Sequence, residues 1–243
     1  MLSVLDLLSV DHPTCTAAEV GEALNCSRTT SYRYLKTLTD AGLLAPQPGG
    51  RFSLGARIIE LDRQIRLSDP LLVSAEPEMR SLSDELGLNA FICSYYKDAV
   101  ICIAQATPRG PWRTSWGRGR PMPLMQGAAG KVILAHLPTN TLKNLALTRP
   151  DDLRAARLGQ TWEEFRAHLR QIRRAGFALT VAEVDEETAG LAAPLFDADG
   201  RILGSLTLSI PVNLVGDGAD LLKFSEPLIR SAEAINDSLA DIS

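Results

Sequence analysis

Two short helices separated by a tight turn are the feature that most constrains the fold of the first 55 residues. Thr16 is followed three positions later by Glu19, the pattern of a capping box, so a helix is expected to begin near Ala17. Ser27 follows a short turn and is a preferred helix N-cap, and Gly42 can end the helix that it begins. The spacing therefore predicts a helix-turn-helix.

Segments on both sides of this pair complete a small domain. An apolar stripe with helical spacing precedes it and is formed by Leu2, Val4, Leu5 and Leu8. After it, two short strands at 43–45 and 51–54 flank a turn at 47–50 and form a hairpin. This order predicts a winged helix-turn-helix over residues 1–55. A small helical bundle with a charged, solvated face is the alternative.

One face of the second helix of the pair carries side chains suited to DNA. A helix in the major groove presents its N-terminal residues to base edges, whereas phosphate contacts fix its register. We expect base contacts from Thr29, Tyr32 and Arg33. Phosphate contacts are expected from Arg28 and Thr30 in the first helical turn, from Lys36 on the helix and from Arg51 in the hairpin. The predicted DNA-contacting residues are Arg28, Thr29, Thr30, Tyr32, Arg33, Lys36 and Arg51.

Charge is distributed unevenly along the chain. The formal net charge of −4 argues against a protein that coats nucleic acid non-specifically. Between residues 23 and 57, however, five basic residues stand against Asp40 alone, which gives this segment a charge of +4. A basic patch on an acidic protein is typical of a DNA-reading module joined to another domain, although a solvated charged face gives the same pattern.

The remainder of the chain predicts a connecting helix and a larger second domain. Residues 56–68 form an amphipathic linker helix, and Pro70 marks the boundary that follows it. Residues 69–243 combine hairpin strands, such as 90–96 and 99–106, with helices at each end. This arrangement predicts an α+β fold in which helices flank an antiparallel sheet. About 175 residues suffice for a full core.

Composition restricts the compartment and the chemistry. No run of about 18 apolar residues is present and the first residues lack a basic secretory n-region, so a cytoplasmic protein is expected. Four cysteines without a CxxC pair and only three histidines predict neither a metal site nor catalytic residues, and no cofactor is expected. His136 and His168 are expected to be exposed on helices.

Enzyme motifs are incomplete. Lys131 follows glycine as in a phosphate-binding loop, but Met125 and Val132 stand where that motif requires glycine and Ser/Thr, and no GxSxG elbow occurs. Across a turn at 97–98, Cys93 and Cys102 are expected to face each other as small buried thiols rather than a disulfide. The alternative function is a small-molecule-binding protein or metabolic enzyme whose N-terminal helices mediate assembly.

A family resemblance covers nearly the whole chain. The segments SRTTSYRYLKTL, AGLL and GRFSLG…IIEL, between residues 16 and 61, resemble the winged helix of IclR-type transcriptional regulators. Downstream, PMPLMQGAAGKVILAHLP, IRRAGFAL and LAAPLFDADGRILGSLTLSIP resemble the effector domain of the same family. The resemblance implies a GAF-like sensor fold that binds a small organic molecule, often a carboxylate, beside the sheet. It also implies dimers that can pair into tetramers.

The resemblance further implies an effector site. The positions at which family members contact their ligand correspond to Met125, Gly127, Ala128, Gly190, Thr207 and Ser209 of this chain. The backbone N–H groups of Gly127 and Ala128 at a helix start can face an anion, and Thr207 and Ser209 alternate along a strand and so share one face. Trp112 and Trp116 either line this pocket or pack at an interface.

Several of these positions depart from the family pattern. Many relatives have His at the position of Met125, Cys at that of Gly190 and a hydroxyl residue at that of Gly127. The pocket is therefore expected to be less polar and roomier, and to admit an effector larger than a two-carbon acid, with an aromatic acid as the leading candidate.

The combined prediction is a ligand-responsive, DNA-binding regulator of a catabolic operon. Its expected partners are double-stranded operator DNA, a small organic acid and further copies of the chain, as a homodimer or homotetramer. The effector would shift a population between two arrangements of the winged helices through the linker helix. The sequence leaves open the effector, the operator, and whether the output is repression or activation.

Overall fold

The computed structural model describes residues 1–96, 99–108, 116–215 and 218–241, and in 218–220 it describes the backbone only. The chain divides into two compact units, Met1–Asp69 and Pro70–Ser243. The first unit has one buried apolar cluster and the second has two. The predicted turn at 97–98 and Trp112 lie outside the described residues.

The first unit is a three-helix domain with a small sheet. Its elements are the 3₁₀ helix Leu2–Leu7, β1 (Cys15–Thr16), α1 (Ala17–Ala23), α2 (Arg28–Asp40), β2 (Leu44–Gln47), β3 (Arg51–Leu54) and α3 (Ala56–Ser68). The sheet order is β1-β3-β2, with antiparallel pairing throughout. The hairpin β2–β3 after α2 is the predicted wing.

Local capping interactions explain where the two helices of the motif begin. The Thr16 hydroxyl accepts a hydrogen bond from the Glu19 N–H at 3.3 Å, and the Glu19 carboxylate accepts one from the Thr16 N–H at 2.6 Å. The Ser27 hydroxyl accepts from the Thr30 N–H at 3.3 Å. These contacts satisfy N–H groups that a helix start leaves unpaired, and they confirm both predicted N-termini.

The second unit is built on one antiparallel sheet with helices on both faces. Its helices are α4 (Pro70–Leu86), α5 (Gly127–His136), α6 (Thr139–Thr148), α7 (Pro150–Ala155), α8 (Trp162–Ala175) and α9 (Gly218–Ala240). Its strands are β4 (Asn89–Tyr96), β5 (Ala99–Ala106), β6 (Pro121–Pro123), β7 (Ala178–Val181), β8 (Thr188–Phe196) and β9 (Ile202–Pro211), and a 3₁₀ turn follows at Val212–Leu214. The sheet order is β6-β5-β4-β9-β8-β7. The predicted α+β class is confirmed.

Alternating side chains place one apolar cluster on each face of the sheet. Phe91 and Cys93 of β4 pack in the cluster that contains α5 and α8, whereas Ala90 and Ile92 pack in the cluster that contains α4 and α9. A strand buried on both faces has no continuous polar side, which explains the long apolar runs of β4 and β9. The candidate site lies on the α5 face.

Some elements and environments differ from the expectations. The strands β1 and β6 and the helix α7 were not predicted, because segments of two to six residues carry too few positions to show a period. The strand β7 ends at Val181, because Ala182 has a left-handed backbone with φ 53°.

His136 is half-buried rather than exposed, which corrects the expectation for this residue. Its ring packs edge-to-face on Phe196 at 5.1 Å between centroids, and its Nδ1 lies 2.9 Å from the Val132 carbonyl oxygen. Burial lowers the pKa of His136, and the nearby Arg173 charge adds to this effect. His168 is exposed, as expected.

The described residues contain neither a membrane-spanning helix nor a cluster of metal ligands. No helix among them combines the length and apolarity that crossing a membrane requires. No group of three or more His, Cys, Asp or Glu side chains in the described part of the chain is arranged to hold a metal ion.

Candidate functional site

The outward face of α2 presents the predicted DNA-contacting side chains together. Ser31, Leu35 and Leu38 are buried at spacings of four and three residues and fix this helix against the core. The opposite face is exposed and carries Arg28, Thr29, Tyr32, Arg33 and Lys36. A row of cationic, hydroxyl and aromatic groups along one exposed helix face has the chemistry that a major groove requires.

Two of these side chains are in contact with each other. Arg28 donates a hydrogen bond from Nη2 to the Tyr32 hydroxyl at 3.5 Å, and its guanidinium carbon lies 5.6 Å from the centre of the Tyr32 ring. The contact spans one helical turn and holds both groups on the same side of α2. Because the contact already orders both side chains, they lose less conformational entropy when they bind a partner.

Thr30 and Arg51 have contacts that the sequence did not predict. The Thr30 hydroxyl lies 3.0 Å from the Ser27 hydroxyl and so belongs to the N-cap of α2. Arg51 is half-buried and donates from Nε to the Thr14 hydroxyl at 2.6 Å and from Nη2 to the Thr14 carbonyl at 3.2 Å. These bonds join the wing to the segment before β1, so Arg51 has a structural role whether or not it also binds phosphate.

The second unit contains a cavity of about 60 Å³ between the start of α5, the sheet and the segment 182–187 that joins β7 to β8. It is lined by six of the eight residues expected at the effector site, namely Trp116, Gly127, Ala128, Gly190, Thr207 and Ser209. Met125 is buried at 3% exposure and is not among the lining residues.

Strand register brings the polar groups of the cavity together. Ser209 pairs with Gly190 of β8, and Thr207 pairs with Ala192 of β8 and with Phe91 of β4. The Thr207 hydroxyl lies 3.1 Å from the Ser205 hydroxyl, but the Ser209 hydroxyl is buried without a hydrogen-bond partner among the described residues. Because an unpaired buried hydroxyl is costly, a water or a ligand in the cavity is expected to bind it.

Two glycines at the cavity have close neighbours. A Cβ atom on Gly127, whose φ is 72°, would lie 2.9 Å from Met122 Sδ and 3.0 Å from Val184 Cγ2. A Cβ atom on Gly190 would lie 3.2 Å from Thr180 Oγ1. A side chain at position 190 would therefore lie against Thr180, and the expectation of a roomier pocket at Gly190 stays a prediction.

A carboxylate of the protein itself lies at the start of α5. Glu183 accepts a hydrogen bond from the Gly127 N–H through Oε2 at 3.1 Å, and its Oε1 lies 2.5 Å from Lys131 Nζ. Lys131 is buried at 8% exposure and also donates to the Ala156 carbonyl at 3.0 Å. The sequence does not predict this pair, because Glu183 is 52 residues from Lys131 and no local pattern connects them.

Cys93 and Cys102 line the same cavity as an opposed cross-strand pair, as the sequence predicts. Both are free thiols. A hydrogen bond to Cys102, together with burial, raises the pKa of Cys93, and the same bond lowers the pKa of Cys102.

Comparison with family models matches both units. The model described as the IclR helix-turn-helix domain matches residues 1–48, and the model described as the bacterial transcriptional regulator IclR C-terminal domain matches residues 67–237. The second match alone covers more than half of the chain.

Individual relatives agree with the family models. The Pca regulon regulatory protein of Pseudomonas putida is 27% identical over 202 residues, which are 82% of this chain and 69% of that protein. An IclR-type regulator from Silicibacter sp. TM1040 superposes with a TM-score of 0.83 at 18% identity, covering 98% of this chain and 94% of that one. An IclR homologue from Microbacterium hydrocarbonoxydans, complexed with 4-hydroxybenzoate, superposes with a TM-score of 0.77 at 18% identity, covering 100% and 98%.

Proposed function

Because this chain belongs to the IclR family of bacterial transcriptional regulators, we propose that α2 and the wing bind an operator and that a small organic acid in the cavity controls this binding. The observation that carries the DNA part is the exposed row of Thr29, Tyr32 and Arg33 on α2, opposite its buried face. The four remaining predicted residues supply phosphate contacts. Action on chromosomal DNA places the protein in the cytoplasm.

A palindromic operator is part of this proposal. Helix-turn-helix proteins that form dimers read two half-sites about one helical turn of DNA apart. A homodimer, or a homotetramer made of two such dimers, would therefore protect a near-palindromic sequence. The net charge of −4 keeps non-specific binding weak, so recognition depends on the local basic face.

The acid part of the proposal rests on the chemistry of the cavity. Among the lining residues, Gly127 offers a helix N-terminal N–H and Ser209 offers an unpartnered hydroxyl. Lys131 does not line the cavity, but its ammonium lies 2.5 Å from the carboxylate of Glu183, which does. These donors suit a carboxylate with a second polar group. The 4-hydroxybenzoate complex of the Microbacterium homologue supports an acid of this class.

The cavity volume bears on the size of the effector. A cavity of about 150 Å³ binds benzene in another protein, and about 10–15 Å³ holds one water. The 60 Å³ measured in this chain thus accommodates a small acid directly, whereas an aromatic acid requires lining side chains to move. We propose a catabolic operon as the target, since small organic acids are typical catabolic intermediates.

A footprinting assay on DNA upstream of the gene tests the proposal. The full chain should protect a near-palindromic site that survives competitor DNA across a salt series, and a panel of organic acids should then change the protection. Weak binding that disappears as the salt concentration rises, with no protected site on the DNA, would contradict specific recognition by α2. Acid binding without any DNA binding would favour the alternative of a small-molecule-binding protein.

A further inference from the structure

The carboxylate of Glu183 occupies the position that the proposed effector's carboxylate would take. Its two oxygens accept from the Gly127 N–H at 3.1 Å and from Lys131 Nζ at 2.5 Å. Gly127 and Glu183 line the cavity, whereas Lys131 does not, so an anion from the cavity meets the ammonium only where the Glu183 carboxylate now lies. An organic acid that uses both donors must compete with Glu183.

We propose that Glu183 is an internal competitor of the effector, and that an incoming carboxylate binds by displacing it from Gly127 and Lys131. This inference rests on the proposed function, in which the effector is an organic acid. Lys131 is buried, and an unpaired buried charge is costly. The ammonium therefore keeps a carboxylate partner in both states, its own Glu183 or that of the ligand.

The Ser209 hydroxyl is the second observation that points to a ligand. It is 93% buried, lines the same cavity and has no hydrogen-bond partner in the described part of the chain. The anion donors are thus already satisfied from within, whereas this hydroxyl is not. The matching ligand is a hydroxy or oxo acid, with its carboxylate toward Lys131 and its second polar group toward Ser209.

The segment that carries Glu183 has features expected of a part that can move. It joins β7 to β8 over residues 182–187, and these residues are exposed except for the half-buried Asp185, although the side chain of Glu183 is only 26% exposed. Ala182, next to Glu183, has a left-handed backbone at φ 53°, which is strained for a residue with a Cβ atom. Backbone hydrogen bonds hold both ends of the segment, from the Ala182 N–H to the Thr188 carbonyl at 2.9 Å and from the Val212 N–H to the Glu187 carbonyl at 3.0 Å, so movement is confined to the span around Glu183 between them.

A second cavity gives the displaced carboxylate a place to go. Glu183 also lines an outer, more polar groove of about 380 Å³, together with Gln126, Arg157 and Ala182. Arg157 is exposed at this groove and carries a guanidinium that can pair with a carboxylate. Rotation of Glu183 from the inner cavity to this groove would exchange one cation for another and open the inner cavity.

Ligand titration of three full-length proteins tests the inference. The wild type, Glu183→Gln and Glu186→Gln are titrated by calorimetry with two matched series: 4-hydroxybenzoate, benzoate and phenol, and lactate, propionate and 1,2-propanediol. Glu186 is an exposed carboxylate in the same segment, so its substitution controls for the change in net charge. Each series separates the effect of the carboxylate from that of the hydroxyl.

We expect Glu183→Gln to bind the acids about tenfold more tightly than the wild type, because a site occupied by a competitor for about 90% of the time loses that factor. Glu186→Gln should match the wild type, and the compounds without a carboxylate should not respond to either change. Unchanged or weaker acid binding by Glu183→Gln would overturn the inference and leave the proposed function intact. If no acid binds to any of the three proteins, the organic-acid effector itself is wrong.

Hydrogen exchange on the wild type gives a measurement that needs no variant. Saturating 4-hydroxybenzoate should increase amide exchange in residues 182–187, because the segment loses its anchor, while exchange at the start of α5 stays slow. Most ligands slow amide exchange in the segments that cover them. Faster exchange in residues 182–187 would therefore distinguish displacement of Glu183 from closure over the ligand. Protection of residues 182–187 on binding would show that Glu183 closes over the ligand and is not displaced.

Discussion

The ion pair between Lys131 and Glu183 should show strong energetic coupling. Lys131→Met removes the ammonium and leaves the Glu183 carboxylate and the Ala156 carbonyl without that donor. The side chains are 10% and 26% exposed, so part of the carboxylate remains hydrated. We expect a loss of about 2–3 kcal/mol in the free energy of unfolding, at or just below the range for breaking a fully buried pair.

The converse substitution and the double variant complete the cycle. Glu183→Gln leaves a buried ammonium with a neutral partner and should cost about 2–3 kcal/mol as well. Lys131→Met combined with Glu183→Gln removes both charges, so its cost should be well below the sum of the single costs. The expected coupling energy is about 1–3 kcal/mol.

Tryptophan fluorescence during urea unfolding provides the assay. All three tryptophans, Trp112, Trp116 and Trp162, lie in the second unit, so their emission follows the unit that holds the pair. A loss of 2–3 kcal/mol corresponds to a fall in the melting temperature of about 5–10 °C for a unit of this size. The control is Lys143→Met on the exposed surface of α6, which should stay within about 0.5 kcal/mol of the wild type.

Additivity would refute the reasoning. If the costs of Lys131→Met and Glu183→Gln sum to that of the double variant within about 0.5 kcal/mol, the two groups do not interact. The contact between Lys131 and Glu183 would then contribute nothing to the free energy of unfolding. Lys131 would not need a carboxylate partner in the liganded state either.

Three further predictions concern DNA, the effector and pH. Arg33→Ala should weaken specific DNA binding by about 1–3 kcal/mol in a competition gel-shift assay, and an equal loss on random DNA would make Arg33 a phosphate contact. Ser209→Leu should abolish the response to organic acids in the footprinting assay while DNA binding persists; an unchanged response would place the effector elsewhere. Because burial lowers the pKa of His136, its contribution to stability is complete above the unfolded value of about 6.5 and declines as pH falls below it. Unfolding free energies measured from pH 7 to 5 should therefore fall less steeply in His136→Phe than in the wild type, and parallel curves would exclude this role.

Local signals in the sequence sufficed for most of the fold. The capping box of Thr16 and Glu19 and the N-cap Ser27 predict two helix starts, because each bond joins atoms only three residues apart. The alternation of Thr207 and Ser209 places both hydroxyls on one face of β9, and both line the cavity. Their roles, like those of the α2 residues in DNA binding, stay predictions.

The features that decide the chemistry of the cavity come from long-range packing. Sequence alone determined that Gly127 and Ala128 stand at a helix start and that Thr207 and Ser209 share one face of a strand, whereas their meeting at one site was implied only by the family resemblance. Only the tertiary structure placed Glu183 on the Gly127 N–H, set Thr180 against Gly190 and buried Lys131 beside the Ala156 carbonyl. The physical reason is that strand pairing and sheet-to-helix packing bring together residues that no local spacing connects.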